Sequence, residues 1–487
     1  MTEIREARFA REPGTDPAAA RAAHGDEGFE RRLGLRSAVA LNMTQMCGIG
    51  PFVTIPLMIA TMGGPQAVFG WILGALLALS DGLVWAELGA AMPGAGGTYL
   101  YLREAFQYRS GRLMPFLFVW TALFTIPLIM STGVIGLVQY LGYLAPGMSG
   151  LEIHAISLAV VAIVLFALWR RIDSIGAIGT LLWAVSLLSL GVVIVAAATH
   201  FHPSLAFTYP HRAFAFGGPF WAGLGGGLLI GIYDYLGYNT TAYLGAELRD
   251  PGRVLPRSIV IAVLGIMGVY LAMQIGVLGV VPWQTASKSQ SVASLVLERT
   301  WGKAAADVVT VLILVTAFGS IFAGLLGGSR VPYNAARDGL FFRPFGRLHP
   351  RHRFPHVALL VMCLITAIGS FFTLSTVISV LLAVFVIVQA IAQVVALTVL
   401  RRRQPDLRRP YRQWLYPLPS LAALAGWIYV YASAGRTPIV FSLVVLVTGI
   451  VAFLVWARVE REWPFGPKRV REEFLAAQES AAQHAPA

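Results

Sequence analysis

Only 13% of the 487 residues are charged, two are cysteines, and three of the 37 basic residues are lysines. An average soluble domain is about 25% charged, so an ordinary soluble fold is the first thing excluded. Cys47 and Cys363 both fall inside apolar runs, and the nine histidines are scattered, so neither a disulfide framework nor a zinc site is expected. No nucleophile-base set, phosphate loop or metal cluster appears, which argues against an enzyme and against a cofactor. The polar opening residues mix basic and acidic side chains and lack the n-region and h-region of a cleavable leader, so the first apolar run is expected to act as an uncleaved insertion signal.

What the chain has in abundance is apolar length. It is 57% hydrophobic with a mean hydropathy of +0.69. Runs of about 20 apolar residues, enough to cross about 30 Å of hydrocarbon as a helix, recur from residue 36 to residue 458. Gly, Pro and charge punctuation divides them into twelve spans, at roughly 36–62, 66–92, 113–141, 151–169, 174–199, 219–246, 256–281, 304–331, 355–373, 375–400, 413–435 and 438–458. The short connection around Phe372 to Ser375 makes spans nine and ten a helical hairpin. Residues 1–35 and 464–487 are polar and read as disordered tails.

A net charge of +13 and a pI near 10 raise the question of nucleic acid. The distribution answers it. Of the 37 Lys and Arg, 32 fall in one alternating set of segments, which includes both tails, and 5 in the other: Arg212, Lys288, Arg299, Lys303 and Arg436. That is the positive-inside bias; it places both termini in the cytoplasm and explains the arginines without a nucleic-acid partner. The expected partners are membrane lipid and a small molecule.

Two spans are interrupted in their middles. Span one, "MTQMCGIGPFVTIPLMIA", carries Gly48, Gly50 and Pro51 about halfway along, and span six has Gly231 and Gly237 bracketing "IYDYL". As the first and sixth spans they hold corresponding positions in two five-span halves, residues 36–199 and 219–400. Five is odd, so the second half enters from the opposite side, and paired broken helices in an inverted repeat point to a transporter's binding site near the midplane. Spacings such as Gly223 and Gly227 also suit close helix packing alone.

Four stretches then carry a family resemblance. "GIGPFVTIP" is similar to the G-x-G-x-F-x-x-x-P break of the first helix, "WAELGAAMPGAGGTYLYLREAF" to the stretch closing the second, "YLGYNTTAYLGAELRDPGRVLPRSI" to the sixth helix and its following loop, and "SRVPYNAARDGLFFRPFGRLHPRHRFP" to the loop after the eighth. In this order they resemble the amino acid, polyamine and organocation (APC) superfamily of transporters. The resemblance implies an all-α membrane protein of twelve helices with the LeuT-type five-plus-five inverted repeat, two extra helices over residues 413–458, and alternating access without ATP. The family holds a substrate carboxylate at the first break and the amino group near the sixth.

Local chemistry agrees with such a socket. The half-helix after Gly50 presents N–H groups and a positive dipole end, and a half-helix ending near Gly231 would offer carbonyls to an ammonium. Gln45, Cys47, Gly48, Ile49 and Gly50 are therefore candidate substrate contacts, with Tyr233, Asp234, Tyr235 and Gly237 opposite. Either tyrosine could stack on an aliphatic or cationic group, or serve as ordinary packing. Asp234 stands where the family is usually small and neutral, at a cost of at least about 2.5 kcal/mol for a mid-membrane carboxylate. It could bind a substrate ammonium, carry a proton, or be a protonated acid bonded to a neighbouring helix. Asp81 is a second unexpected acid, in span two, and could pair with it. Glu87 matches a family acid and reads as a structural or gating partner for a loop arginine. Asn239 replaces the acid that some exchangers use as a proton sensor, and span five lacks the lysine that stands in for sodium in some relatives. Thr316 and Ser320 lie one turn apart, as sodium-site hydroxyls would, or bond their own backbone. Thr125, Gln389 and Gln393 are cavity polars or helix-to-helix bonds. The expected function is secondary transport of amino acids or related amines, by proton coupling or exchange. The rivals are a polyamine carrier, a channel and a transport-inactive receptor.

Overall fold

The structure is a computed structural model that describes residues 33–93, 97–169, 175–211, 213–352 and 354–460. Of the expected tails, residues 1–32 and 464–487 lie outside the described residues; Leu33 to Leu35 are described and ordered, Leu33 in a β-bridge and Leu35 opening the first helix. Elsewhere the chain is helical; among the described residues one isolated β-bridge, Leu33 to Leu248, is the only strand-like pairing.

The first span is two helices, α1 (Leu35–Met46) and α2 (Gly50–Met62), bent by 55°. Cys47 leaves helical geometry at φ −85°, ψ 71°. Pro51 sits in the first turn of α2, where its missing N–H is not needed. Then follow α3 (Val68–Ala91), α4 (Thr98–Ser110), α5 (Leu113–Leu144), α6 (Gly150–Leu168) and α7 (Ile175–Thr199). The later part holds α8 (Gly218–Tyr235), α9 (Pro251–Val280), α10 (Val292–Thr300), α11 (Lys303–Gly328), α12 (Arg330–Arg337), α13 (His356–Gly369), α14 (Leu374–Phe385), α15 (Ile391–Arg403), α16 (Leu418–Ser433) and α17 (Arg436–Val459).

Each of the twelve expected runs contains a helix. Among the described residues seven stretches are long and apolar enough to cross a membrane, and the bent α1–α2 pair makes an eighth. The described apolar parts of α7, α13 and α16 are shorter, and α8 stops early because its span is broken. Large apolar side chains point outward along these helices, among them Leu151, Phe166, Val308, Leu364 and Val455. On helices this apolar they form a lipid-facing surface. Thr373 caps the hairpin between α13 and α14 by accepting from Thr376 N at 3.4 Å.

The expected break at Gly231 is corrected. Gly231 lies inside α8, which runs unbroken to Tyr235. A Cβ on Gly231 would strike Gly70 O and come within 3.0 Å of Gly70 C, and a Cβ on Gly74 would come within 2.9 Å of Gly231 C. Gly231 is a packing glycine: without side chains between them, α3 and α8 meet backbone to backbone. The interruption falls at Leu236–Asn239, where Gly237 takes φ +113°, a conformation that L side chains rarely adopt.

Gly231→Ala should therefore push the two helices apart, with an overpacking cost of about 1–3 kcal/mol. Thermal unfolding of the purified protein in detergent checks it: the midpoint falls for Gly231→Ala, whereas Gly268→Ala, with nothing within 4 Å of the added methyl, leaves it unchanged or higher.

Candidate functional site

Breaking a helix in hydrocarbon frees backbone groups that must find partners within the protein. Here the two breaks supply each other. A Cβ on Gly237 would lie 2.7 Å from Gln45 Cβ and 3.1 Å from Gln45 C, so the second break rests on the end of α1. Asn42 Oδ1 accepts from Thr241 N at 3.0 Å, satisfying an amide beyond the second break. The Tyr270 hydroxyl of α9 lies 2.6 Å from Met46 O and 3.2 Å from Asp234 O, so one phenol serves the carbonyl ends of both α1 and α8.

Asp234, in the last turn of α8, is 4% exposed. One carboxyl oxygen accepts from Thr54 Oγ1 at 2.5 Å, and Thr54 also reaches Gly50 O at 2.9 Å. The other oxygen presses against Gly50, in the space a Cβ would need, and has no hydrogen-bond partner. The acid thus reaches across from the second break to the N-terminal end of α2. Tyr233 is buried, and its hydroxyl meets Thr132 Oγ1 of α5 at 2.5 Å. Tyr235 is fully buried, its ring tilted at 55° against Tyr270 with centroids 5.7 Å apart, and its hydroxyl unpartnered.

The other acids occupy separate places. Asp81 of α3 accepts from Trp85 Nε1 at 3.1 Å and from the Tyr238 hydroxyl inside the second break; its remaining oxygen is buried without a partner. No hydrogen bond joins Asp81 to Asp234. Glu87, one end of α3 away, receives Arg401 through Nε at 2.8 Å and Nη2 at 2.5 Å, with Arg409 Nε at 3.5 Å and Gln413 N at 2.7 Å. Arg401 also lies 3.8 Å from the Tyr416 ring centre. This bidentate ion pair ties α3 to α15 and to the segment entering α16.

The remaining candidates divide. Ile49 points at Gly136 of α5, Cys47 is buried, and the Gln45 side chain is exposed. Ser320 Oγ bonds Thr316 O at 2.9 Å and would lie 3.5 Å from a Cβ on Gly48, while Thr316 Oγ1 is buried without a partner. Gln389 lies in a one-turn π-helical stretch, Val386–Ala390, and bonds Thr121 and Thr125 at 3.2 and 3.4 Å. Gln393 accepts from Thr98 at 3.0 Å. Thr125, Gln389 and Gln393 thus join helices. A cavity of about 220 Å³ lies elsewhere, between Leu168, Arg330, Tyr333 and Phe354.

Sequence reasoning missed Thr54, Thr132, Tyr238, Asn42 and Tyr270. Tyr270 offered a signal, a lone phenol in the apolar run "GIMGVYLAMQIG"; the others are recognised only through contacts made across the chain.

The match to the amino acid permease family spans residues 33–464. The chain belongs to that family. Among its relatives, the branched-chain amino acid permease BcaP of Bacillus subtilis (strain 168) is 26% identical, covering 90% of this chain and 95% of the relative. The serine/threonine exchanger SteT of the same organism is 25% identical, over 84% and 92%. The Asc-type amino acid transporter 1 of Mus musculus is 28% identical, over 88% and 81%. The permease is thus an integral membrane transporter of amino acids and not an enzyme.

Two substitutions test the geometry. Tyr270→Phe leaves the carbonyls of Met46 and Asp234 short of a donor and should cost about 1–3 kcal/mol. Glu87→Ala strands two arginines and should cost about 3–5 kcal/mol. Denaturation in detergent reads both, and Tyr270→Phe should in addition slow uptake, since the bond it removes lies between the two breaks.

Proposed function

We propose that this permease is a secondary active transporter of neutral amino acids in the cytoplasmic membrane, working by alternating access and driven by proton coupling or exchange. Its architecture is twelve spans in a LeuT-type inverted repeat plus two C-terminal helices, with both termini cytoplasmic; the helices found in all twelve apolar runs and the arginine asymmetry support this. The observation that carries the functional reading is the pair of facing helix breaks, joined by Tyr270 and lined by Asp234. The N-terminal end of α2, at Gly48, Ile49 and Gly50, takes the carboxylate. The end of α8, with Tyr233 and Asp234, takes the amino group. Neutral substrates are favoured because the relatives are named for branched-chain amino acids and for serine and threonine.

One observation favours a second reading. Asp234 already places a carboxyl group against the α2 terminus, which would suit a cationic amine or polyamine having no carboxylate of its own. Radiolabelled uptake into liposomes holding the purified protein separates the two, with a panel of neutral, cationic and acidic amino acids and putrescine, with and without an inward proton gradient. Saturable uptake of leucine or serine, resistant to putrescine, is the expected result. Uptake of putrescine resistant to alanine would support the second reading, and binding without uptake of any compound would make the protein a receptor.

A further inference from the structure

A substrate carboxylate and Asp234 compete for one place. Asp234 is held against Gly50 at the N-terminal end of α2, with a single donor, Thr54, on one oxygen and none on the other. No lysine, arginine or histidine among the described residues is in hydrogen-bonding or ion-pairing reach of it. The titratable groups facing it are Tyr233 and Tyr235 on its own helix, Tyr270 on α9, and Cys47 at the first break beside Tyr270. On α3 the nearest acid, Asp81, is engaged by Tyr238 instead. α2 and α14 carry no ionisable side chain, and α16 carries only Tyr429 and Tyr431, whose hydroxyls go to Trp221 O and Ser442.

Two carboxylates about 3 Å apart in a dry site cannot both be ionised. An ionised Asp234 therefore repels an α-carboxylate from the terminus of α2, and a neutral Asp234 can donate to it. We propose that a proton on Asp234 is an obligatory co-substrate for amino acids. The α-carboxylate docks at the start of α2 only beside the neutral acid, whose unpartnered oxygen carries the proton and donates it in a hydrogen bond. After the amino acid leaves on the far side, that proton passes to water and Asp234 is again ionised, so one proton crosses with each amino acid. A cargo with an ammonium and no carboxylate meets the opposite requirement: it pairs with the ionised acid and carries no proton. The inference rests on the substrate site proposed above, with one change: for an amino acid the neutral Asp234 serves the carboxylate, and the amino group is left to the carbonyl end of α8 beside Tyr233.

The test uses the purified full-length protein. Binding of leucine and of isopentylamine, its counterpart lacking the carboxylate, is measured from about pH 5 to 9, and proton entry with leucine is followed in liposomes containing a trapped pH dye. Above the pKa of Asp234 leucine affinity should fall about tenfold per pH unit, and below it isopentylamine affinity should rise about tenfold per pH unit, because each needs the opposite protonation state. One proton should enter per leucine. In Asp234→Asn the pH dependence of leucine binding should flatten and proton entry should be lost. Leucine bound with flat affinity and no proton entry in the wild type would overturn the inference while leaving the substrate site standing; proton entry persisting in Asp234→Asn would overturn it as well. Should Asp234→Asn fail to fold, the opposite slopes of the two ligands in the wild type still decide. Absence of binding by leucine and every other amino acid of the panel would remove the site itself.

Discussion

A peptide group in hydrocarbon has no water to turn to, and the rest of this structure depends on that fact. A continuous helix meets the demand by itself; α1–α2 and the segment after α8 do not, so their freed groups have to be met by something else. Tyr270 and Asn42 are among the side chains they meet. The breaks are consequently one object, each completing the other.

The three buried acids show how differently one chain can accommodate the same group. Glu87 is neutralised near the end of α3 by two arginines, Arg401 in bidentate geometry and Arg409 through a single contact. Asp81 has no cation and is solvated by an indole and a phenol. Asp234 has one threonine. The ordering follows location: arginine heads are available where helices reach the aqueous face, and only neutral donors reach the interior. The acid with the fewest donors is the one beside the helix break.

Much of this could be read without coordinates, because the membrane imposes it on composition. Apolar length gave the helices, and Gly48, Gly50 and Pro51 crowded together marked the first break at its true place. The second break was displaced because a glycine in a sequence does not declare its use. Gly231 serves packing against Gly70 and Gly74, whereas Gly237 serves a backbone turn, and only φ and the neighbouring helix tell them apart. That Asp234 was costly could be read; that it lies against Gly50 could not, since Thr54 and Asp234 are 180 residues apart in the chain. Gln389 and Gln393 were legible as polar residues in an apolar run, and their use in joining helices came from partners on α5 and α4.

The glycine seam between α3 and α8 has a mechanical meaning. Helices that mesh through long side chains can slip or re-register by changing rotamers, but Gly70, Gly74 and Gly231 leave nothing flexible between the two backbones. α3 and α8 are thereby welded into a single lever. Glu87 lies thirteen residues beyond Gly74, about 20 Å along the helix. Were α8 to tilt, the seam would carry the movement to the Arg401–Glu87 ion pair without any change in the residues between.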